Sequence, residues 1–197
     1  MQLIKLIIKV KEMTDNINRI KIIQNVVSGL YSTTTPEKVQ PIPNNVRDKV
    51  GCIAIGSDHG GFEAKEIIRD YLRAIGYRVT DVGTFSKDSV DYPDFALKVA
   101  KKVASGECER GIMIDGAGIG SSMVCNKVKG IRAALCYNTK TIINSREHNN
   151  ANVLTLGGPL HIPDELREMV KLWLETTFAG GRHWKRVNKI MAVERNQ

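Results

Sequence analysis

The chain has 197 residues, of which 42% are hydrophobic and 25% charged, and its formal net charge at pH 7 is +8. This composition predicts one globular domain with a sizeable core plus some extra chain. Only 6% of the residues are aromatic, and the basic residues form no stripe interleaved with aromatic side chains. We therefore predict a small anionic partner rather than nucleic acid.

Residues 1–49 differ from the rest of the chain. They hold eight Lys/Arg against four Asp/Glu, and prolines at 36, 41 and 43 interrupt regular structure. The apolar run Leu3–Val10 is too short to span a bilayer, so no membrane partner is expected. Glu12 and Asp15 disfavour a mitochondrial presequence. We predict a disordered or surface-docked extension over residues 1–49 and a folded domain over residues 50–197.

The four cysteines are at positions 52, 108, 125 and 136, and no two form a Cys-x-x-Cys pair. Since no signal peptide is recognisable, we predict reduced thiols in a cytoplasmic protein. Cysteine and histidine spacings do not suit zinc, so no metal site is expected.

From residue 50 onward, short apolar runs alternate with segments of helical periodicity. The predicted strands cover Val50–Gly56, Tyr77–Val82, Ile112–Ile114, Ile131–Cys136 and Asn152–Leu156. The predicted helices cover Phe62–Ile75, Pro93–Ser105, Ser121–Lys127, Thr139–His148, Pro163–Phe178 and Arg182–Glu194. Strict alternation predicts an α/β fold, namely a three-layer Rossmann-like open sheet of five parallel strands with helices on both faces, plus a C-terminal helix.

The segment Gly111–Gly120 carries the strongest functional signal. Its apolar run ends at Asp115, and three glycines follow within five residues. A carboxylate at the carboxyl end of a buried strand lies where open α/β sheets bind ligands, and glycines allow backbone N–H groups to approach an oxyanion. A Gly-x-Gly-x-Gly loop alone is a weak signal, and a purely structural tight turn remains an alternative.

Other polar residues of catalytic types stand at element ends. They are Asp58, His59, His148, Asn149, Arg182 and Arg186. Taken singly, Asp58 could be a helix N-cap, His148 a satisfied histidine, and the two arginines a solvated helix face. Together with the glycine loop they predict a site for a phosphate and a carbonyl, with a carboxylate base and an imidazole acid.

Six motifs carry a family resemblance. They are Ile55-Gly-Ser-Asp-His-Gly-Gly-Phe62, Asp91-Tyr-Pro93, Gly116-x-Gly-x-Gly120, Asn126-Lys-x-x-Gly-Ile-Arg-Ala133, Ser145-Arg-Glu-His-Asn-x-Ala-Asn-Val-Leu154 and Gly180-Gly-Arg-His-x-x-Arg-Val187. In this order and spacing, over about residues 50–195, the chain resembles the type B ribose-5-phosphate isomerases. That family also includes galactose-6-phosphate and allose-6-phosphate isomerase subunits.

The resemblance implies an aldose–ketose isomerase of the pentose phosphate pathway that needs no metal or cofactor. His148 would open the sugar ring, and Asp115 would move a proton between two carbons through a cis-enediolate. The resemblance also implies a homodimer, or a dimer of dimers, with sites between subunits. The resemblance implies three sets of substrate contacts. The enediolate oxygen would accept hydrogen bonds from the N–H groups of Gly116, Ala117, Gly118, Ile119 and Gly120. The sugar oxygens would bind to Asp58, His59 and Asn149, and the phosphate to Arg182 and Arg186.

Three positions depart from the family pattern. Asp115 stands where many members have a cysteine base, and the glutamate that other members use would fall at Ser121. A hydroxyl residue is usual at Ala117, and an arginine that contacts substrate in relatives falls at Pro159. We predict conversion of ribose 5-phosphate to ribulose 5-phosphate. The alternatives are an isomerase for a tetrose or hexose phosphate, and a catalytically weak sugar-phosphate-binding protein.

Overall fold

The computed structural model describes residues 51–194. The strands are β1 (Ile53–Ser57), β2 (Val79–Asp81), β3 (Arg110–Asp115), β4 (Ala133–Leu135) and β5 (Val153–Gly157). The helices are α1 (Phe62–Ala74), α2 (Tyr92–Ala104), α3 (Ile119–Cys125), α4 (Thr139–Glu147), α5 (Pro163–Glu175) and α6 (Arg182–Val193), with a 3-10 turn over Gly158–Leu160. The predicted extension, residues 1–49, lies outside the described residues.

The strands form one parallel sheet in the order β2-β1-β3-β5-β4. Alternate residues of the central strands face opposite layers, as the period of two requires. On β3, Ile112 and Ile114 pack with α1, α4 and α5, whereas Met113 packs with α2 and α3. This architecture confirms the predicted α/β sheet with helices on both faces and a C-terminal helix.

One difference in element boundaries concerns the start of α3. The helix begins at Ile119, two residues before the predicted Ser121, because Gly118 is its N-cap in a left-handed conformation with φ 76°. Glycine is the residue that adopts this conformation without steric cost. A Cβ at Gly118 would also lie 2.9 Å from the Leu156 backbone carbon. Glycine is therefore required at this position for two reasons, because its φ angle is positive and because β5 lies too close for a side chain.

The cysteine prediction is half right. Cys125 and Cys136 are free, as predicted, and both are buried. Cys52 and Cys108 instead form a disulfide, with their Cα atoms 4.4 Å apart, so the prediction of reduced thiols is wrong for this pair. The two residues are 56 positions apart and meet because the turn before β3 packs beside the start of β1. Spacing along the sequence gave no sign of this pairing.

Within residues 51–194, no helix is both long and apolar enough to cross a membrane. The same residues contain no group of three or more His, Cys, Asp or Glu side chains arranged to hold a metal ion.

Candidate active site

The predicted site residues fall into two groups at opposite edges of the sheet. The carboxyl-edge group consists of Asp58, His59 and residues 115–120, which follow the carboxyl ends of β1 and β3. The amino-edge group consists of His148, Asn149, Arg182 and Arg186. Helix α4 starts beyond the carboxyl end of β4 and returns to the start of β5, so His148 lies at the amino edge.

The path of the chain explains why the amino-edge group stays together. Helix α5 also returns to this edge, where the Ala179 N–H donates to the Glu147 carbonyl oxygen over 2.9 Å. Helix α6 then begins beside His148. The five residues of β5 span about 16 Å at the rise of a β-strand, so one subunit cannot bring the two groups into one site. The prediction of a site formed from both groups therefore stays a prediction, since the resemblance implies that this site lies between subunits.

Asp115 is 4% exposed and is held by its own loop. Its Oδ1 accepts hydrogen bonds from the N–H groups of Ala117, at 2.8 Å, and Gly118. Its Oδ2 accepts the N–H of Ser121 at 3.3 Å and the Ser121 hydroxyl. Two of the N–H groups predicted to hold an enediolate oxygen thus bind the Asp115 carboxylate in this conformation.

The rest of the glycine loop leaves room for a ligand. Ile119 and Gly120 are in the first turn of α3, where backbone N–H groups have no intrahelical acceptor. A Cβ added at Gly116 would meet nothing within 4 Å, whereas one at Gly120 would lie 2.5 Å from the Tyr92 hydroxyl oxygen. Tyr92 therefore forms a wall of the loop. Sequence reasoning quoted it only as part of the Asp91-Tyr-Pro93 motif.

The loop after β1 lies against the glycine loop. A Cβ at Gly60 would be 3.6 Å from the Gly116 nitrogen, which places these two backbones side by side. The buried Asp58 carboxylate accepts the N–H of Gly61 at 2.8 Å, and Gly61 is the N-cap of α1, so Asp58 itself is not the cap. The His59 Nδ1 lies 3.2 Å from the Val90 carbonyl oxygen. The structure therefore brings all the predicted carboxyl-edge residues together.

At the amino edge, His148 stacks on His183, which was not among the predicted site residues. The rings of His148 and His183 are 4.2 Å apart and 7° from parallel, and His183 is 8% exposed. Removal from water lowers the pKa of His183, and the positive charges of His148, Arg182 and Arg186 lower it further. His183 follows Arg182 in the Gly-Gly-Arg-His motif, and this motif was the feature of the sequence that could have pointed to it.

One asparagine side chain contacts His148, and a second contacts the first. The Asn144 side-chain nitrogen lies 2.9 Å from His148 Nδ1, and the Asn149 side-chain nitrogen lies 3.0 Å from Asn144 Oδ1. Asn144 was not predicted. Arg182 and Arg186 are both exposed, one turn apart on the face of α6 beside this cluster. Two guanidinium groups so placed suit an anionic group such as a phosphate.

The sequence is similar to those of known sugar-phosphate isomerases. The model of the family described as Ribose/Galactose Isomerase matches residues 53–190. YwlF of Bacillus subtilis, whose name specifies sugar phosphates but no particular sugar, is 46% identical over 143 residues, or 72% of this chain and 96% of that protein. Ribose-5-phosphate isomerase B of Escherichia coli is 41% identical over 145 residues, 74% of this chain and 97% of that protein.

A solved structure of a relative has a similar fold. Ribose-5-phosphate isomerase B of Clostridium thermocellum is 52% identical, and the match covers 74% of this chain and 98% of that one with a TM-score of 0.72. The similarity thus extends over nearly the whole length of these relatives.

Proposed function

The chain belongs to the ribose/galactose isomerase family, and on this premise we propose that it interconverts ribose 5-phosphate and ribulose 5-phosphate. The observation that carries the proposal is the position of Asp115. Its carboxylate ends the buried strand β3 and lies within a loop of backbone N–H donors, beside the loop that carries Asp58 and His59. A base next to oxyanion donors is what proton transfer at a carbon beside a carbonyl requires.

In the proposed reaction, His148 donates a proton to the ring oxygen, the C1 hydroxyl loses its proton to solvent, and the bond between C1 and the ring oxygen breaks to give the open aldose. Asp115 then removes the proton from C2, the C1 carbonyl oxygen gains negative charge, and a cis-enediolate forms. The proton of the C2 hydroxyl moves to the C1 oxygen, and the same carboxyl group returns the abstracted proton to C1, which leaves a carbonyl at C2 and yields the ketose. The enediolate oxygen would take the place of the carboxylate on the N–H groups of Ala117 and Gly118, so that Asp115 turns toward the substrate.

We propose that the complete site needs two subunits, as a homodimer or a dimer of dimers. The carboxyl-edge group of one subunit would meet the amino-edge group of its partner. The separation of the two groups within one chain supports this arrangement, as does the apolar surface beside the glycine loop. There Ile119 is 52% exposed and Met123 63% exposed, and such a surface suits a protein contact.

The choice of sugar depends on the phosphate end of the site. Arg182 and Arg186 would bind the phosphate, while Pro159, exposed in the turn after β5, supplies no charge at the carboxyl edge. A tetrose or hexose phosphate therefore remains the second candidate substrate. The binding-protein alternative is favoured by the hydrogen bonds that occupy Asp115 and by the absence of a hydroxyl group at Ala117.

A panel of sugar phosphates with four to six carbons, assayed with purified protein, tests the proposal. We expect the highest kcat/KM with ribose 5-phosphate, and turnover of none of them would leave only the binding-protein alternative. Mixing the inactive variants Asp115→Asn and His148→Gln tests the shared site. Random exchange in a dimer would restore about one quarter of wild-type activity, because half of the dimers carry one intact site of two. No recovery after subunit exchange would contradict the shared site.

A further inference from the structure

A chain of amide groups leads from the backbone of α4 to His148. The Asn149 side-chain nitrogen lies 3.1 Å from the backbone carbonyl oxygen of Asn144 and 3.0 Å from the side-chain oxygen of the same residue. The Asn144 side-chain nitrogen lies 2.9 Å from His148 Nδ1. Asn149 is thus hydrogen-bonded to Asn144, and Asn144 is in turn in contact with the imidazole.

The direction of every hydrogen bond in this chain follows from its first acceptor. A backbone carbonyl can only accept, so the atom of Asn149 that faces it is the amide nitrogen. That nitrogen also donates to the Asn144 side chain, which must present its oxygen there. The other end of the Asn144 amide is then the nitrogen, which donates to His148 Nδ1. A ring nitrogen that accepts a hydrogen bond carries no hydrogen, so the proton of neutral His148 is on Nε2.

We propose that Asn144 is a positioning residue that holds the proton of His148 on Nε2. This orientation matters because of what surrounds the ring. One face is covered by His183, and Nδ1 is occupied by Asn144, so Nε2 is the nitrogen available to a ligand. The nearest carboxylate oxygen, on Glu147, is 3.8 Å from Nε2, beyond hydrogen-bond distance.

The role of this proton in catalysis rests on the proposed function. If His148 opens the sugar ring, it must offer a hydrogen to the ring oxygen. With its proton on Nδ1, the imidazole would present a lone pair at Nε2 and could not act as the acid. Asn144 would therefore act on ring opening through His148, without contact with the substrate.

The tautomer can be measured without any substrate. The chain has four histidines, so long-range ¹H–¹⁵N NMR spectra are simple, and His148→Gln assigns the signal of interest. At about pH 8.5, well above the ordinary histidine pKa, we expect the wild-type His148 proton on Nε2. In Asn144→Asp the carboxylate can only accept, so the proton should move to Nδ1. An Nε2 proton in that variant, as in the wild type, would refute the proposal.

Kinetics then test the consequence. Asn144 is exposed, so Asn144→Leu should fold normally, and Thr139→Ala, exposed on the same helix, is the matched control. For ribose 5-phosphate, which is a furanose ring, Asn144→Leu should lower kcat by at least about tenfold, as expected for a weakened general acid, with little change in KM. Ribulose 5-phosphate is acyclic, so the exchange of its C1 hydrogen with D₂O should match that of the control.

The outcomes separate the two proposals. An equal loss of turnover and of hydrogen exchange in Asn144→Leu would refute a role confined to ring opening, as would unchanged turnover of ribose 5-phosphate. If the wild-type protein turns over no sugar phosphate, the proposed function fails, whereas the tautomer in Asn144→Asp still decides whether Asn144 positions the proton.

Discussion

The substitution Asp115→Asn separates the catalytic role of this carboxylate from its structural one. The amide keeps the shape of the side chain but cannot accept a proton from carbon. If Asp115 is the enolising base, turnover should fall by at least about a hundredfold, in line with general-base contributions, while KM changes little. The assay is the conversion of ribose 5-phosphate followed by a coupled ketose readout, alongside thermal unfolding of the same samples.

The structure also sets the expected loss of stability. The amide oxygen can keep the hydrogen bonds from Ala117 and Gly118, but the amide nitrogen would then face the N–H of Ser121. The Ser121 hydroxyl can turn to accept from that nitrogen, so one buried N–H loses its acceptor. This loss lowers the free energy of unfolding by about 1–3 kcal/mol, which corresponds to a Tm lower by about 3–9 °C for a domain of this size.

Ser121→Ala is the matched control, because it removes one donor to the carboxylate and leaves the base in place. It should lose stability by a similar amount and keep turnover within about tenfold of the wild type, as expected when a hydrogen bond to a charged group is removed. If instead both variants lose stability and both keep most of their turnover, Asp115 is a structural anchor of the glycine loop, and the base must be sought elsewhere.

Three further predictions concern the phosphate, the thiols and the extension. Arg186→Ala should raise KM for ribose 5-phosphate by about tenfold or more, and an unchanged KM, as expected for Lys185→Ala, would remove Arg186 from the site. Iodoacetamide should leave turnover intact, because it reacts with thiolates and both free thiols have a raised pKa. Burial, together with the charge of Asp115, raises the pKa of Cys125 to about 12, and burial raises the pKa of Cys136. Inactivation against which the substrate protects would contradict this prediction. Deleting residues 1–45 should preserve folding and turnover in unfolding and kinetic assays, and aggregation would show that the extension is needed.

The fold was predictable because its determinants are local. Short apolar runs and segments of helical periodicity alternate strictly, and that order specifies a parallel sheet covered by helices. The early start of α3 was not predictable, since Gly118-Ile119-Gly120 has the composition of a loop. Its helical structure depends on a left-handed N-cap and on the approach of Leu156, a contact between distant parts of the sequence.

The site was predictable in its residue types but only partly in its geometry. The return of each helix to the amino edge follows from the strand–helix order alone, so the distance between Asp115 and His148 could have been inferred. The contact between Asn144 and His148 could also have been inferred, because residues four apart on a helix are neighbours. The stacking of His183 on His148 could not, because His183 comes from an element 35 residues later in the sequence.

The positions of the proposed catalytic groups would give assembly a role in the chemistry. In a parallel α/β sheet, a strand delivers its last residue to the carboxyl edge and the following helix delivers its last residue to the amino edge. If Asp115, at the end of β3, is the base and His148, at the end of α4, opens the ring, as we propose, one reaction is divided between two edges. A second copy, docked with its amino edge against the glycine loop, would then be needed to bring His148 within reach of a sugar held at Asp115. Oligomerisation would then be a condition of turnover rather than a source of stability alone.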